Sequence, residues 1–238
     1  MSGGDPLALT LPLRAALLLD CDGTLLDLAA TPDAVVVPDG LVDALRRVRD
    51  RLNGALAVVT GRPIAQIEAL LGDAPHAIAG EHGAALRRSP TMPIEEIELP
   101  MPPQAWLDQA AAAVAQFPGA LLEPKRRGFV LHYRLSPGGA LVLERMARDL
   151  VAADLRFALL PASMAWEVKA VGVDKGTAVH ALMASPPFAG RTPVFIGDDV
   201  TDEDGIAAAV ALGGIGLRVA AAFGDAAGVR AWIMRLAG

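Results

Sequence analysis

The stretch Ala15-Ala16-Leu17-Leu18-Leu19-Asp20-Cys21-Asp22-Gly23-Thr24 decides the architecture of this chain. Five apolar residues without alternation suit a strand covered on both faces, as in parallel sheets. The two acids at its end fall where ligands gather in open α/β sheets, beyond the carboxyl ends of the strands. In extended backbone, side chains two residues apart share a face, so Asp20 and Asp22 converge on one site. Gly23 permits the tight turn that follows. An Asp-Gly turn closing a strand is the ordinary alternative. Two carboxylates behind a buried run favour a site in which one attacks and the other exchanges a proton.

Working outward, Leu41, Leu45, Val48 and Leu52 recur at helical spacing within residues 39–52, and residues 55–60 form a second buried run. A helix opening at Pro63 carries Ile64, Ile67, Leu70 and Leu71 on one stripe, and residues 76–79 read as a third strand. The rhythm breaks at Gly83. Prolines 90, 93, 100, 102 and 103 interrupt residues 87–103, which hold one strand at 95–99. Helices at 104–116 and 138–152 then accompany strands at 120–124, 128–134, 155–160 and 164–169. After Val171 the first rhythm returns, with helices at 174–184, 202–209 and 225–237 and strands at 193–197 and 214–218. The expected fold is α/β: a doubly wound parallel-sheet (Rossmann-like) core of residues 1–83 and 171–238, with an inserted α+β domain at 84–170.

Composition limits the function. A chain of 238 residues, 53% apolar and 20% charged, can bury a substantial core, and its single cysteine excludes an intramolecular disulfide framework. The longest stretch free of Asp, Glu, Lys and Arg runs from Gly176 to Gly190 and is broken by Pro186 and Pro187. A bilayer span needs ~20 residues, so no membrane segment is expected. The first residues, with Asp5 and no basic group before the first apolar residues, do not read as a signal peptide, and the single cysteine suits a reducing cytoplasm. A net charge of −6 argues against nucleic acid as a partner. Against 18 arginines there are three lysines, Lys125, Lys169 and Lys175.

Three further features sit near strand ends. Gly197-Asp198-Asp199-Val200-Thr201-Asp202-Glu203-Asp204 packs acids so densely that a hard cation or a lysine must offset them. An EF-hand does not fit, because aligning Gly205 as the loop glycine puts Val200 at the first ligand position. The same run also reads as a capped helix start. Thr60-Gly61-Arg62 offers a hydroxyl and backbone N–H groups at a strand-to-helix turn, a cradle for phosphate. Lys175 opens a helix and is placed to neutralise a phosphoryl group, although a lysine in a first helical turn is often simply solvated.

In this order the features resemble the haloacid dehalogenase superfamily of phosphotransferases. The resemblance implies that Asp20 attacks phosphorus, that Asp22 acts as acid and then base, and that Thr60 and Lys175 hold the phosphoryl oxygens. It also implies a magnesium ion held by Asp20, the backbone carbonyl of Asp22, and Asp198, with Asp202 supporting the metal or the lysine. Cys21 stands where this superfamily often has an aromatic residue. It should point away from the aspartates and pack.

Gly80-Glu81-His82-Gly83, Leu122-Glu123-Pro124-Lys125, His132-Tyr133-Arg134, Trp166-Glu167-Val168-Lys169 and the Gly197–Asp204 run narrow the resemblance to trehalose-6-phosphate phosphatases, over about residues 15–217. In that family the insert is a cap over the sugar. The match implies that Glu123, Lys125, Arg134 and Glu167 contact sugar hydroxyls, that His82 lies at the core–cap junction, and that Arg62 and Asp202 belong to the substrate-binding set. It implies trehalose 6-phosphate as the small-molecule partner and functional coupling to a trehalose-6-phosphate synthase. Glu123 with Lys125 reads equally as a surface pair of little energetic weight. Sucrose 6-phosphate and glycosyl-phosphoglycerates are rival substrates, a phosphomannomutase is a rival of the same chemistry, and a silent sugar-phosphate-binding module is a rival of another class. The proline often found after the Glu-Val-Lys pattern is missing at Ala170-Val171.

Overall fold

The computed structural model describes residues 10–29, 31 and 34–238; the reading of the first nine residues lies outside them. The chain forms two compact units, one ending at Ile97 and resuming over Val173–Gly238, the other spanning Glu98–Gly172.

The first unit is built on β1 (Ala15–Leu19), β2 (Leu56–Val59), β3 (Ala77–Gly80), β4 (Ala85–Arg87) and β5 (Glu95–Glu96). The second unit contributes β6 (Leu121–Lys125), β7 (Gly128–His132), β8 (Phe157–Ala162) and β9 (Ala165–Ala170) to a sheet of its own, and the first resumes with β10 (Thr192–Gly197) and β11 (Ile215–Arg218). In the first sheet the order is β11-β10-β1-β2-β3-β4-β5. Its members from β11 to β3 run parallel, with Leu17 in register with both Val194 and Leu56.

Alternation along these strands divides the core. Leu17, Leu19, Leu56, Val58, Ile78, Val194 and Ile196 pack against α1 (Leu41–Arg51), α2 (Ile64–Leu71) and α8 (Ala226–Ala237), whose Trp232 is fully buried. Ala16, Leu18, Ala57, Val59, Ala77, Ala79 and Phe195 face α5 (Lys175–Met183) and α6 (Glu203–Ala211). Both faces are thus covered, which is why β1, β2 and β3 carry no polar side chain. Cys21 belongs to the α1/α2/α8 layer, so its side chain packs away from Lys175, and burial first, then the charges of Asp22 and Asp20, pushes its thiol well above the ordinary range.

The first boundary falls later than the sequence pattern suggests. Gly83 does not end the core, because β4 pairs antiparallel with β3, Ile78 opposite Arg87, and β5 pairs with β4. Strands of three and two residues carry too little pattern to register as a period, and the prolines around them read as a linker. The expected strand at 95–99 is therefore the short edge strand of the first sheet. A helical turn, α7 (Val219–Ala222), was also invisible to periodicity for want of length.

The second unit is a four-stranded antiparallel sheet, β6-β7-β9-β8, with α3 (Gln104–Val114) and α4 (Ala140–Ala153). Trp106, Ala110, Phe129, Leu131, Leu143, Ala147, Phe157 and Val168 form its core. Trp106 meets Phe157 edge-on at 5.1 Å, and Trp166 Nε1 donates to the Ala140 carbonyl at 3.0 Å. These contacts take one face of the sheet. The alternate residues are released to the other.

Candidate active site

Asp20 follows Leu18 on the α5/α6 side of β1, and its N–H donates to the Ile196 carbonyl at 2.9 Å. That parity brings its carboxylate to the first turn of α5. Asp174 caps this helix, accepting from Thr177 N at 2.7 Å, so Lys175 stands at a fixed first position. Lys175 Nζ donates to Asp20 Oδ1 at 2.7 Å and to Asp202 Oδ1 at 2.6 Å, and the ammonium side chain is 3% exposed. Asp202 is wholly buried. Its Oδ2 accepts from the N–H groups of Asp198 and Asp199 at 3.1 and 3.0 Å, which fixes the loop after β10. Gly197 permits this, because a Cβ there would overlap the Asp202 carboxyl.

Burial and then the Asp202 charge drive the Asp20 carboxyl well above the usual carboxylate range, opposed by Lys175. Burial disfavours the charged form of Lys175, yet its two aspartate partners outweigh that and hold the ammonium above the ordinary lysine value. Asp198 is pushed up to about 6, by partial desolvation first and then by Asp202 and Asp199. Thr24 Oγ1 donates to Asp198 Oδ1 at 3.2 Å. The turn between them tolerates only glycine: Gly23 has φ +77°, and a Cβ would collide with the Asp198 carboxylate.

Asp20, Asp198 and Asp202 each offer an oxygen within 4.8 Å of the others'. Three carboxylates face one ammonium, and two of them are raised, so the cluster is short of positive charge. All donors are hard oxygens, which suits magnesium. Asp20, Asp198 and Asp202 are the side chains that could hold such an ion, and Asp202 is the one with both oxygens already hydrogen-bonded.

Asp22 is held by Arg62 through two parallel bonds, Nε to Oδ2 at 2.6 Å and Nη2 to Oδ1 at 2.7 Å, a bidentate fork. Arg62 N donates to Thr60 Oγ1 at 3.1 Å, so the hydroxyl and the fork belong to one loop after β2. The residues after β3 brace that loop: His82 N donates to the Thr60 carbonyl at 2.9 Å and Glu81 N to the Arg62 carbonyl at 3.1 Å. Glu81 and His82 both take positive φ, 50° and 57°, a local strain tolerated where surroundings over-determine it.

In the second unit, register places Glu123 opposite Val130 and Val130 opposite Glu167, so these side chains share the face that the helices leave free. Lys125 Nζ lies 3.5 Å from Glu167 Oε1, and His132 Nε2 lies 2.8 Å from Glu123 Oε2. Burial alone would raise Glu123, but its bond to His132 and the charges of Lys125 and His132 outweigh that and lower it.

The structure therefore gathers Asp20, Asp22, Thr60, Arg62, Lys175 and Asp198 at the carboxyl ends of β1, β2 and β10, and Glu123, Lys125 and Glu167 on one sheet face. Asp202 directs its carboxylate to Lys175 and to the Asp198 and Asp199 N–H groups. Asp22 presents its carboxylate to Arg62. His82 is buried, with its ring against Gly61, and acts as a brace behind the Thr60 loop. Arg134 lies beyond β7, where its Nη2 donates to Ser163 O and Oγ, both at 3.1 Å. Sequence reasoning passed over Thr24 and His132; the shared face of Glu123 and His132 was the signal for the latter.

In fold the chain is similar to a haloacid dehalogenase-like hydrolase from Bacteroides thetaiotaomicron, over 82% of this chain and 84% of that one, with a TM-score of 0.56 at 13% identity. The chain belongs to the trehalose-phosphatase family, whose model matches residues 18–221. It is 41% identical over 205 residues to a probable trehalose-phosphate phosphatase of Sinorhizobium fredii, covering 86% of this chain and 77% of that protein. It is 38% identical over 237 residues to the trehalose-6-phosphate phosphatase of Escherichia coli K12, covering 98% and 86%. In fold it is similar to the C-terminal domain of Candida albicans trehalose-6-phosphate phosphatase, with a TM-score of 0.80 at 21% identity over 94% of this chain and 92% of that one.

Proposed function

We propose that this protein hydrolyses trehalose 6-phosphate to trehalose and phosphate, in functional coupling to a trehalose-6-phosphate synthase in the cytoplasm. The observation that carries the reading is the buried Asp20–Lys175–Asp202 cluster at the end of β1, in a chain of the trehalose-phosphatase family. Lys175 opposes the protonation that burial and Asp202 favour at Asp20, drawing the buried carboxyl toward the anionic form that attacks. Asp20 Oδ attacks phosphorus as the bond to the sugar oxygen breaks, giving an aspartyl-phosphate. Asp22 delivers a proton to the departing oxygen and takes one back from the water that releases phosphate. A proton on either Asp22 oxygen takes the place of one Arg62 bond, so Arg62 orients the acid and must slacken as it works.

Thr60 Oγ1 and Lys175 Nζ supply donors to the phosphoryl oxygens. Asp20 and Asp198 are the side chains that would hold magnesium, with the backbone carbonyl of Asp22. When bound, that ion would offset charge on the phosphoryl group as an anion approaches. Glu123, Lys125 and Glu167 receive the sugar hydroxyls, and the second unit, with Arg134 at its edge, serves as the substrate-specificity cap.

The test is phosphate release with magnesium across trehalose 6-phosphate, sucrose 6-phosphate, glucose 6-phosphate and mannosyl-phosphoglycerate, with Asp20→Asn as control. Preference for trehalose 6-phosphate that vanishes in the control supports the whole reading. Preference for another sugar phosphate overturns the cap assignment, and a folded protein with no turnover overturns the chemistry.

A further inference from the structure

Glu123 occupies an awkward position for a group meant to grip a hydroxyl. Its in-register neighbour, Val130, offers no hydrogen bond, and beyond Val130 stands a second carboxylate, Glu167, toward which Lys125 is turned. A glutamate has three rotatable side-chain bonds, and ordering it only when ligand arrives costs affinity. His132 faces Leu121 across β6 and β7, so it reaches Glu123 on the diagonal, the separation at which long side chains on one sheet face still meet.

From this juxtaposition we propose that His132 is the positioning residue for Glu123: it fixes Oε2 and turns Oε1 toward a sugar hydroxyl. The proposal rests on the reading that this sheet face receives the sugar. An ionised carboxylate only accepts, so the 2.8 Å contact places a proton on His132 Nε2. Both side chains are about one-fifth exposed, at 21% and 23%, so the pair is ordered yet open to a polar ligand. Among the described residues one oxygen is held and the other carries no hydrogen bond, the arrangement in which a carboxylate selects the direction of an incoming O–H.

The experiment compares His132→Leu, which removes the donor, with His132→Gln, whose amide N–H₂ occupies much the same reach. The readout is the ratio of kcat/KM for trehalose 6-phosphate to kcat/KM for p-nitrophenyl phosphate, which lacks a sugar. The Leu variant should lower this ratio about tenfold, through KM for the sugar phosphate, and Gln should restore it to within about threefold. Adding His132→Leu to Glu123→Gln should cost nothing further. An unchanged ratio in the Leu variant, a Gln variant as impaired as Leu, or additive losses in the double variant would each overturn the proposal. If the wild type prefers another sugar phosphate, the trehalose 6-phosphate reading fails by itself, and the same ratio taken on the preferred substrate decides the role of His132. Nitrogen-15 spectra of the histidines give an answer independent of turnover: a His132 ring with an unprotonated Nε2 would overturn the assignment.

Discussion

Lys175→Met keeps most of the buried stem and removes the one ammonium placed between two buried carboxylates. Both ion pairs are short, 2.7 and 2.6 Å, and the side chains of Lys175, Asp20 and Asp202 are 3%, 6% and 0% exposed. Breaking a buried pair by deleting one partner costs about 3–5 kcal/mol, because the surviving charge is left without compensation. Here two charges survive, so the expected loss lies at the upper end of that range. The direction with pH follows from the carboxyls. Asp20 is already raised with Lys175 present, by burial and then by Asp202. Without the lysine Asp20 rises further in the folded state, while in the unfolded chain an aspartate titrates near ~3.9. A raised folded pKa means stability that is complete below the unfolded value and lost as pH climbs toward the folded one. The deficit of Lys175→Met relative to wild type should therefore be small near pH 4 and grow through pH 8. Urea unfolding in the presence of a chelator at pH 5 and pH 8 measures it, and Lys175→Met with Asp202→Asn should recover about half of the loss by removing one of the two charges. A deficit below about 1 kcal/mol at pH 8, or one that does not change with pH, would refute the argument that this lysine holds the cluster together.

Gly23→Ala forces an L side chain into φ +77° and onto the Asp198 carboxylate, and should cost about 1–3 kcal/mol in urea unfolding with at least a ~100-fold fall in magnesium-dependent turnover. Arg62→Lys exchanges a two-pronged clamp on Asp22 for a point charge, and kcat should fall roughly 10- to 100-fold; a variant with full turnover would show that the fork does not orient the acid. Chelation should abolish turnover. The rise in Tm that magnesium brings at pH 7.5 should shrink at pH 5, because Asp198, pushed up to about 6 by desolvation and by Asp202 and Asp199, then carries a proton that a metal must displace; an equal rise at both values would remove Asp198 from the ligand set.

Much of the core was legible because its physics is local. The run from Ala15 to Leu19, and the apolar strands at β2 and β10, need burial on both faces, and that requirement alone implies helices on either side of a parallel sheet. The acids of the first motif were legible for the same reason, since a strand end is a fixed place in such a sheet. Short elements were not: β4, β5 and α7 have too few residues to show a period, and pairing with β3 is what makes Ala85–Arg87 a strand. Roles were harder to read than positions. Asp202 reads as one acid among several in Gly197–Asp204, yet its burial and its bonds to Lys175 and two backbone N–H groups make it the brace of the loop.

By itself the sequence determined the order of the longer strands and helices, the both-faces burial of the central strands, and the placing of the first acids at a strand end, because each of these follows from neighbours along the chain. Only the tertiary structure decided which charges meet. Lys175 and Asp20 are separated by 155 residues, Arg62 and Asp22 by 40, and Thr24 and Asp198 by 174. Hydrogen bonds and charge coupling act over a few ångströms in space, and only folding brings such partners within that range.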